Sequence, residues 1–120
     1  MTDIRWYWDD ELCGVSAKGH AEFNPGNDIV CSAVSALMQT LYAGLEMQCY
    51  AQCILSTGDG RYEIDCAIGD KRGEVKALFD SIVFGLHLIA KEYPENVRVE
   101  RIGVAEASSK GEGETPSDTL

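Results

Sequence analysis

The chain has 120 residues, 45% of them hydrophobic, which is enough for a single domain with a real core. Twenty acidic against ten basic residues give a formal net charge of -10, which argues strongly against nucleic-acid binding, because phosphate contacts need clustered Lys and Arg. No uninterrupted apolar run approaches the roughly 20 residues of a membrane span, and the stretch from Met1 to Asp10 lacks a basic leader, so a cytoplasmic protein without a secretory signal or a membrane partner is expected.

Taken in chain order, Ile4, Trp6 and Trp8 alternate with Arg5 and Tyr7 as a first strand, and Asp9-Asp10-Glu11 supplies its turn. In the next strand Cys13, Val15, Ala17 and Gly19 share one face, while Ser16, Lys18 and His20 share the other, which places His20 on the polar side. A loop with turn formers, Glu22 to Asn27, leads to Asp28, a good helix N-cap. From Ile29 to about Met47 the apolar residues Val30, Ala33, Val34, Leu37, Met38, Leu41 and Leu45 recur at helical spacing. Two strands follow, one through Cys49, Ala51, Cys53 and Leu55 and one through Tyr62, Ile64, Cys66 and Ile68, joined by the hairpin turn Ser56-Thr57-Gly58-Asp59-Gly60.

A second helix is predicted from Lys71 or Glu74 to Tyr93, with a core stripe of Val75, Leu78, Phe79, Ile82, Val83, Leu86 and Ile89, and Pro94 marks its end. Phe84 and Leu88 fall on its far side, and a helix apolar on two faces has something against both, which points to a homodimer. Val97 and Val99 form a closing strand. The order strand, strand, helix, strand, strand, helix, strand predicts an α+β two-layer sandwich over residues 1–103. Residues 104–120 are acidic and polar and are expected to form a disordered tail.

Two residues carry the chemistry. Cys31 falls in the first turn of the first helix, where unpaired backbone N–H groups and the helix dipole favour a thiolate. That contribution, about 0.3 to 1 kcal/mol, is worth less than one pKa unit for a thiol near about 8.5, so the helix alone leaves the thiol protonated. An adjacent imidazolium is the larger lever, and with two histidines in the chain the near one is His20. Asp28 either caps the helix or holds the imidazole, and Ser35 lies one turn beyond Cys31 on the same face. Cys13, Cys49, Cys53 and Cys66 read as core residues; an odd number of cysteines fits a reducing compartment, and their spacing argues against a zinc site. His87 reads as a boundary residue, and Trp6 and Trp8 as sheet core.

Gly19-His20-Ala21, Gly26, Asp28-Ile29-Val30-Cys31, Ala33 and Ser35, followed by Glu92-Tyr93-Pro94-Glu95-Asn96-Val97-Arg98, resemble the signature of the ribosomal-processing cysteine protease (Prp) family. The likeness covers most of residues 3 to 102; Ser32 stands where alanine is usual, and the loop before Asp28 is slightly short. The resemblance implies a homodimeric bacterial cytoplasmic endopeptidase, free of metal or organic cofactor. It would use a dyad at Cys31 and His20 to remove a short N-terminal extension from the large-subunit ribosomal protein numbered twenty-seven. Gly19, Asp28 and Ser35 would support the site or touch substrate. First-turn N–H groups, including that of Cys31, are candidate oxyanion donors, and the loop from Glu22 to Asn27 could close as a lid. Two alternatives stand beside this reading: a non-catalytic dimeric binding module with Cys31 as a packed thiol, and a protease acting on a viral structural protein.

Overall fold

The computed structural model describes residues 1–24 and 28–107. Strands β1 (Thr2–Trp8) and β2 (Leu12–Lys18) form a hairpin whose turn is closed by Asp9, its carboxylate accepting from the N–H groups of Glu11 and Leu12 at 3.1 and 2.8 Å. Helix α1 (Ile29–Ala43) runs on through a π-helical turn, Gly44–Gln48, and is followed by the hairpin of β3 (Gln52–Gly58) and β4 (Arg61–Ala67), then α2 (Arg72–Glu92) and β5 (Val97–Arg101). The sheet order is β3-β4-β2-β1-β5; all neighbours are antiparallel except β1 and β5, so this is a mixed sheet in an α+β fold.

Register explains which face is buried. Ile4, Trp6 and Trp8 stand opposite Ala17, Val15 and Cys13, which in turn stand opposite Tyr62, Ile64 and Cys66, so one sheet face presents a continuous apolar surface. Both helices cover it. Phe79 of α2 is fully buried and meets Trp6 and Trp8 at ring centroid distances of 6.0 and 5.4 Å. Val30, Val34, Met38 and Leu41 of α1 are buried, and the helices approach closely at Gly85, where a β-carbon would lie 3.0 Å from Leu37. The opposite face is solvated and carries ion pairs such as Arg5 with Asp3 at 3.3 Å and Arg61 with Glu63 at 3.4 Å, each of a kind worth about 0–1 kcal/mol. Tyr7 departs from that polar face. It lies flat over Gly14, whose missing side chain makes the room, and its hydroxyl donates to Asp65 at 2.6 Å.

Several expectations are corrected. The face alternation does not reach His20, because β2 ends at Lys18 and Gly19, at φ 92°, turns the chain away from the strand. The third strand begins at Gln52 rather than Cys49, since the π-helical turn and Tyr50, at φ 55°, occupy the intervening residues. With that extension, Ile29–Gln48 is long and apolar enough by length and composition to cross a membrane, although no single unbroken apolar run reaches that length; its buried residues pack on the sheet. The first residues of the expected tail, 104–107, form a helical turn in which Glu106 accepts from Gly103 N at 2.9 Å. Residues 108–120 lie outside the described residues.

Candidate active site

The site is built where the end of β2, the start of α1 and the tip of the β3–β4 hairpin meet. Gly19 ties the first to the last: its N–H donates to Gly60 O at 2.8 Å and its carbonyl accepts from Thr2 Oγ1 at 3.1 Å. Only glycine fits here, since a β-carbon would fall 2.3 Å from Met1 O and φ is 92°. The turn delivers His20 onto the hairpin tip. Its Nε2 lies 3.5 Å from Asp59 Oδ1, and the imidazole sits against Gly60, where a β-carbon would come within 2.9 Å of Nε2.

Asp28 is the N-cap of α1. One carboxylate oxygen accepts from Val30 N at 2.9 Å and Cys31 N at 3.0 Å; the other accepts from Phe23 N at 2.9 Å and Asn24 N at 3.4 Å. Desolvation at the helix end pushes this carboxyl up, and the backbone hydrogen bonds from Cys31, Phe23, Asn24 and Val30 together outweigh it, holding the group below its ordinary value. One residue thus joins the preceding loop to the helix. It does not touch the imidazole, which pairs instead with Asp59 on another element.

Cys31 and His20 line one cleft of about 420 Å³. Its inner wall is mainly apolar, from Ala17, Val34, Met38 and Tyr62 with the buried Thr2; its margins are polar, from Ser35, Thr57 and Arg61. Ser35 therefore shares the cleft with Cys31, and Gly19 forms part of its rim. Among the described residues no hydrogen bond joins the imidazole to the thiol. Cys31 Sγ instead accepts from Ala21 N at 3.2 Å. The oxyanion expectation also changes, because Asp28 already occupies the N–H groups of Val30 and Cys31 through its side chain and that of Ser32 through its carbonyl, at 3.1 Å. Part of the expected lid, Pro25 to Asn27, lies outside the described residues.

The other cysteines have a different environment. Cys13, Cys66 and Cys53 stand side by side across β2, β4 and β3. The Cys66 thiol is pushed up to about 12, chiefly by its contact with Cys13 and by burial, and Cys53 is pushed up by its contact with Cys66 and by burial. Cys49 is also raised, by burial and then by Glu74. Thiols held protonated in this way are poor nucleophiles. Among the described residues, no three His, Cys, Asp or Glu side chains converge to hold a metal ion.

Periodicity could not single out three further residues of the site: Asp59 and Gly60 against His20, and Asn96, whose Nδ2 donates to Ala21 O at 2.9 Å. Asp59 and Gly60 read as an ordinary hairpin turn, and Asn96 as the entry to a strand 75 residues from its partner.

A cysteine and a histidine on one cleft, with the sulfur at a helix N-terminus, is the arrangement of a thiol hydrolase. The model of the family described as cysteine protease Prp matches residues 1–98. The chain belongs to that family and is a cysteine protease. Among solved structures it is similar to the Staphylococcus aureus essential ribosomal processing protease Prp in complex with a covalently linked product peptide, at 23% identity and a TM-score of 0.74, covering 85% of this chain and 100% of that one. The same S. aureus protease with a substrate peptide matches at 21% identity and a TM-score of 0.71, covering 85% and 100%. SMU.848 from Streptococcus mutans matches at 26% identity and a TM-score of 0.67, covering 86% and 95%. Among curated proteins none matches this chain.

Proposed function

We propose that this cysteine protease is an endopeptidase of ribosome maturation, removing a short N-terminal extension from the large-subunit ribosomal protein numbered twenty-seven, with Cys31 as nucleophile and His20 as its base. The observation that carries the reading is the meeting of these two side chains on one cleft, apolar within and polar at its margins, in a chain of the Prp family. A net charge of -10 suits a basic substrate. The protein would act in the cytoplasm as a homodimer.

His20 is more than half exposed, so its imidazole can turn from Asp59 toward the sulfur on the timescale of a surface rotamer. It takes the thiol proton; the thiolate attacks the scissile carbonyl carbon and the S–C bond forms as the C=O π pair moves to oxygen; that pair then re-forms C=O as the C–N bond breaks, and protonated His20 gives its proton to the departing amine. Water then hydrolyses the thioester. The first-turn N–H groups are occupied by Asp28, and the N–H of Ala21, which faces the sulfur, favours the ionised thiol before attack.

Cys31→Ala and His20→Ala are each expected to abolish cleavage of a peptide spanning the ribosomal extension while leaving circular dichroism and melting temperature close to wild type. Cys31→Ser should be nearly inactive as well, since a hydroxyl lacks the low pKa of a thiol. Turnover retained by Cys31→Ala would end the nucleophile assignment, and a wild-type protein that leaves the peptide intact would remove the ribosomal extension as its substrate.

A further inference from the structure

Ala21 lies between two hydrogen bonds that lead in opposite directions. Its N–H donates to Cys31 Sγ at 3.2 Å, and its carbonyl accepts from the side-chain amide of Asn96 at 2.9 Å. Ala21 itself is buried, with 1% of its surface exposed, so neither group exchanges freely with water. Asn96 is fixed by its own backbone: its carbonyl accepts from Thr2 N at 2.8 Å and its N–H donates to Tyr93 O at 2.9 Å, which anchors it between β1 and the end of α2.

The next residue shows why such a brace is needed. Glu22 is in the left-handed region, at φ 61°, where a residue with a β-carbon pays of order 1 kcal/mol, so the reversal persists only if its surroundings hold it. They do so from both sides, Asn96 holding Ala21 and the Asp28 carboxylate holding Phe23 and Asn24. Phe23 adds an edge contact with Tyr93, ring centroids 5.2 Å apart, so the same corner of the α2–β5 connection meets the loop twice.

We infer that Asn96 is a positioning residue of the active site, acting through Ala21: its amide holds the Ala21 main chain so that the Ala21 N–H stays aimed at Cys31 Sγ and stabilises the thiolate. The inference rests on Cys31 being the nucleophile. A backbone N–H donated to a charged sulfur favours the ionised form, and its benefit depends on its being held in place before the charge develops. The other ionisable groups around the sulfur are His20, Arg61 and Tyr62, which line the cleft, and Asp28, whose carboxylate is bound to Cys31 N; Glu22 turns away to pair with the N-terminal amine at 3.3 Å. Asn96 touches none of these side chains, so its effect should travel through Ala21.

The test is the pH profile of Cys31 alkylation by iodoacetamide, resolved from the other four cysteines by peptide mass spectrometry. Asn96→Leu, which keeps the approximate shape but loses the donor without adding charge, and Asn96→Ala should raise the profile's midpoint by about one unit, lowering the rate about tenfold at pH 6 while leaving the high-pH plateau at the wild-type value. A folded variant with the wild-type profile would overturn the inference, as would a loss equal at every pH, which marks a brace of the fold alone. The wild-type protein supplies an arm independent of the variants' folding. By NMR its Ala21 amide should titrate with the midpoint of Cys31, and the titration should vanish in Cys31→Ser; an Ala21 amide indifferent to Cys31 ionisation would overturn the inference. A wild-type Cys31 that alkylates no faster than the other four would overturn the assignment of Cys31 as nucleophile, and this inference with it.

Discussion

Asp28 shows how one side chain can serve two segments. Its carboxylate closes the N-terminus of α1 and binds the loop that follows His20, and the four N–H groups around it hold it ionised below the ordinary carboxyl range. Because its native pKa is lower than the unfolded value of about 3.9, its stabilisation is complete above that value and disappears as pH falls through the native pKa. Asp28→Asn should therefore melt below wild type at pH 7, and the gap should narrow as the pH is lowered toward 3, as followed by circular dichroism. Gly19 is the second position where one residue sets the site. Gly19→Ala must place a β-carbon against the Met1 carbonyl at positive φ, at a cost of about 1–3 kcal/mol from the backbone strain alone, and should lower both urea midpoint and peptide turnover.

At the scale of elements, the site depends on α2 although that helix contributes nothing to the cleft. Its buried stripe, Val75, Phe79, Ile82, Val83 and Leu86, holds the sheet face on which β2 ends, and its C-terminus leads into the corner that carries Asn96. Phe79 is the largest of these side chains and bridges both tryptophans of β1. Phe79→Ala should cost about 3–5 kcal/mol, a large part of the 5–15 kcal/mol typical of a whole domain, measured as a shift of the urea midpoint with little change in slope. The hairpin of β3 and β4 contributes differently. Its tip reaches back to Gly19 and carries Asp59, so its turn glycine at position 60 shapes the floor beneath the imidazole.

For the whole molecule, the exposed apolar residues of α2 carry a consequence. Phe84 is 63% and Leu88 51% exposed, one turn apart on the face opposite the core stripe. With a two-fold homodimer built on this helix, light scattering at micromolar concentration should give twice the mass of the 13.1 kDa chain, and Phe84→Glu with Leu88→Lys should shift the protein toward monomer. A wild-type mass near a single chain would remove the dimer from the reading. The candidate site is made from one chain's own strand, helix and hairpin, so the alkylation profile of Cys31 should survive dissociation.

Much of this protein was determined by local sequence alone. Alternation at Ile4, Trp6 and Trp8, the helical spacing from Val30 to Leu45 and from Val75 to Leu86, and Asp28 ahead of an apolar run are signals carried within a few residues, because periodicity and capping are short-range physics. They placed Cys31 in the first turn of a helix without any knowledge of the rest. Only the tertiary structure decided what surrounds that sulfur. Gly19 broke the alternation that would have put His20 on the solvated face, Asp28 took up the helix N–H groups that the sequence suggested for an oxyanion, and the donor facing Cys31 came from Ala21, ten residues away and braced by Asn96 from the far end of the domain. Those contacts join segments distant in sequence, and no periodic pattern encodes them; they exist because sheet register and helix packing bring three chain reversals to one corner.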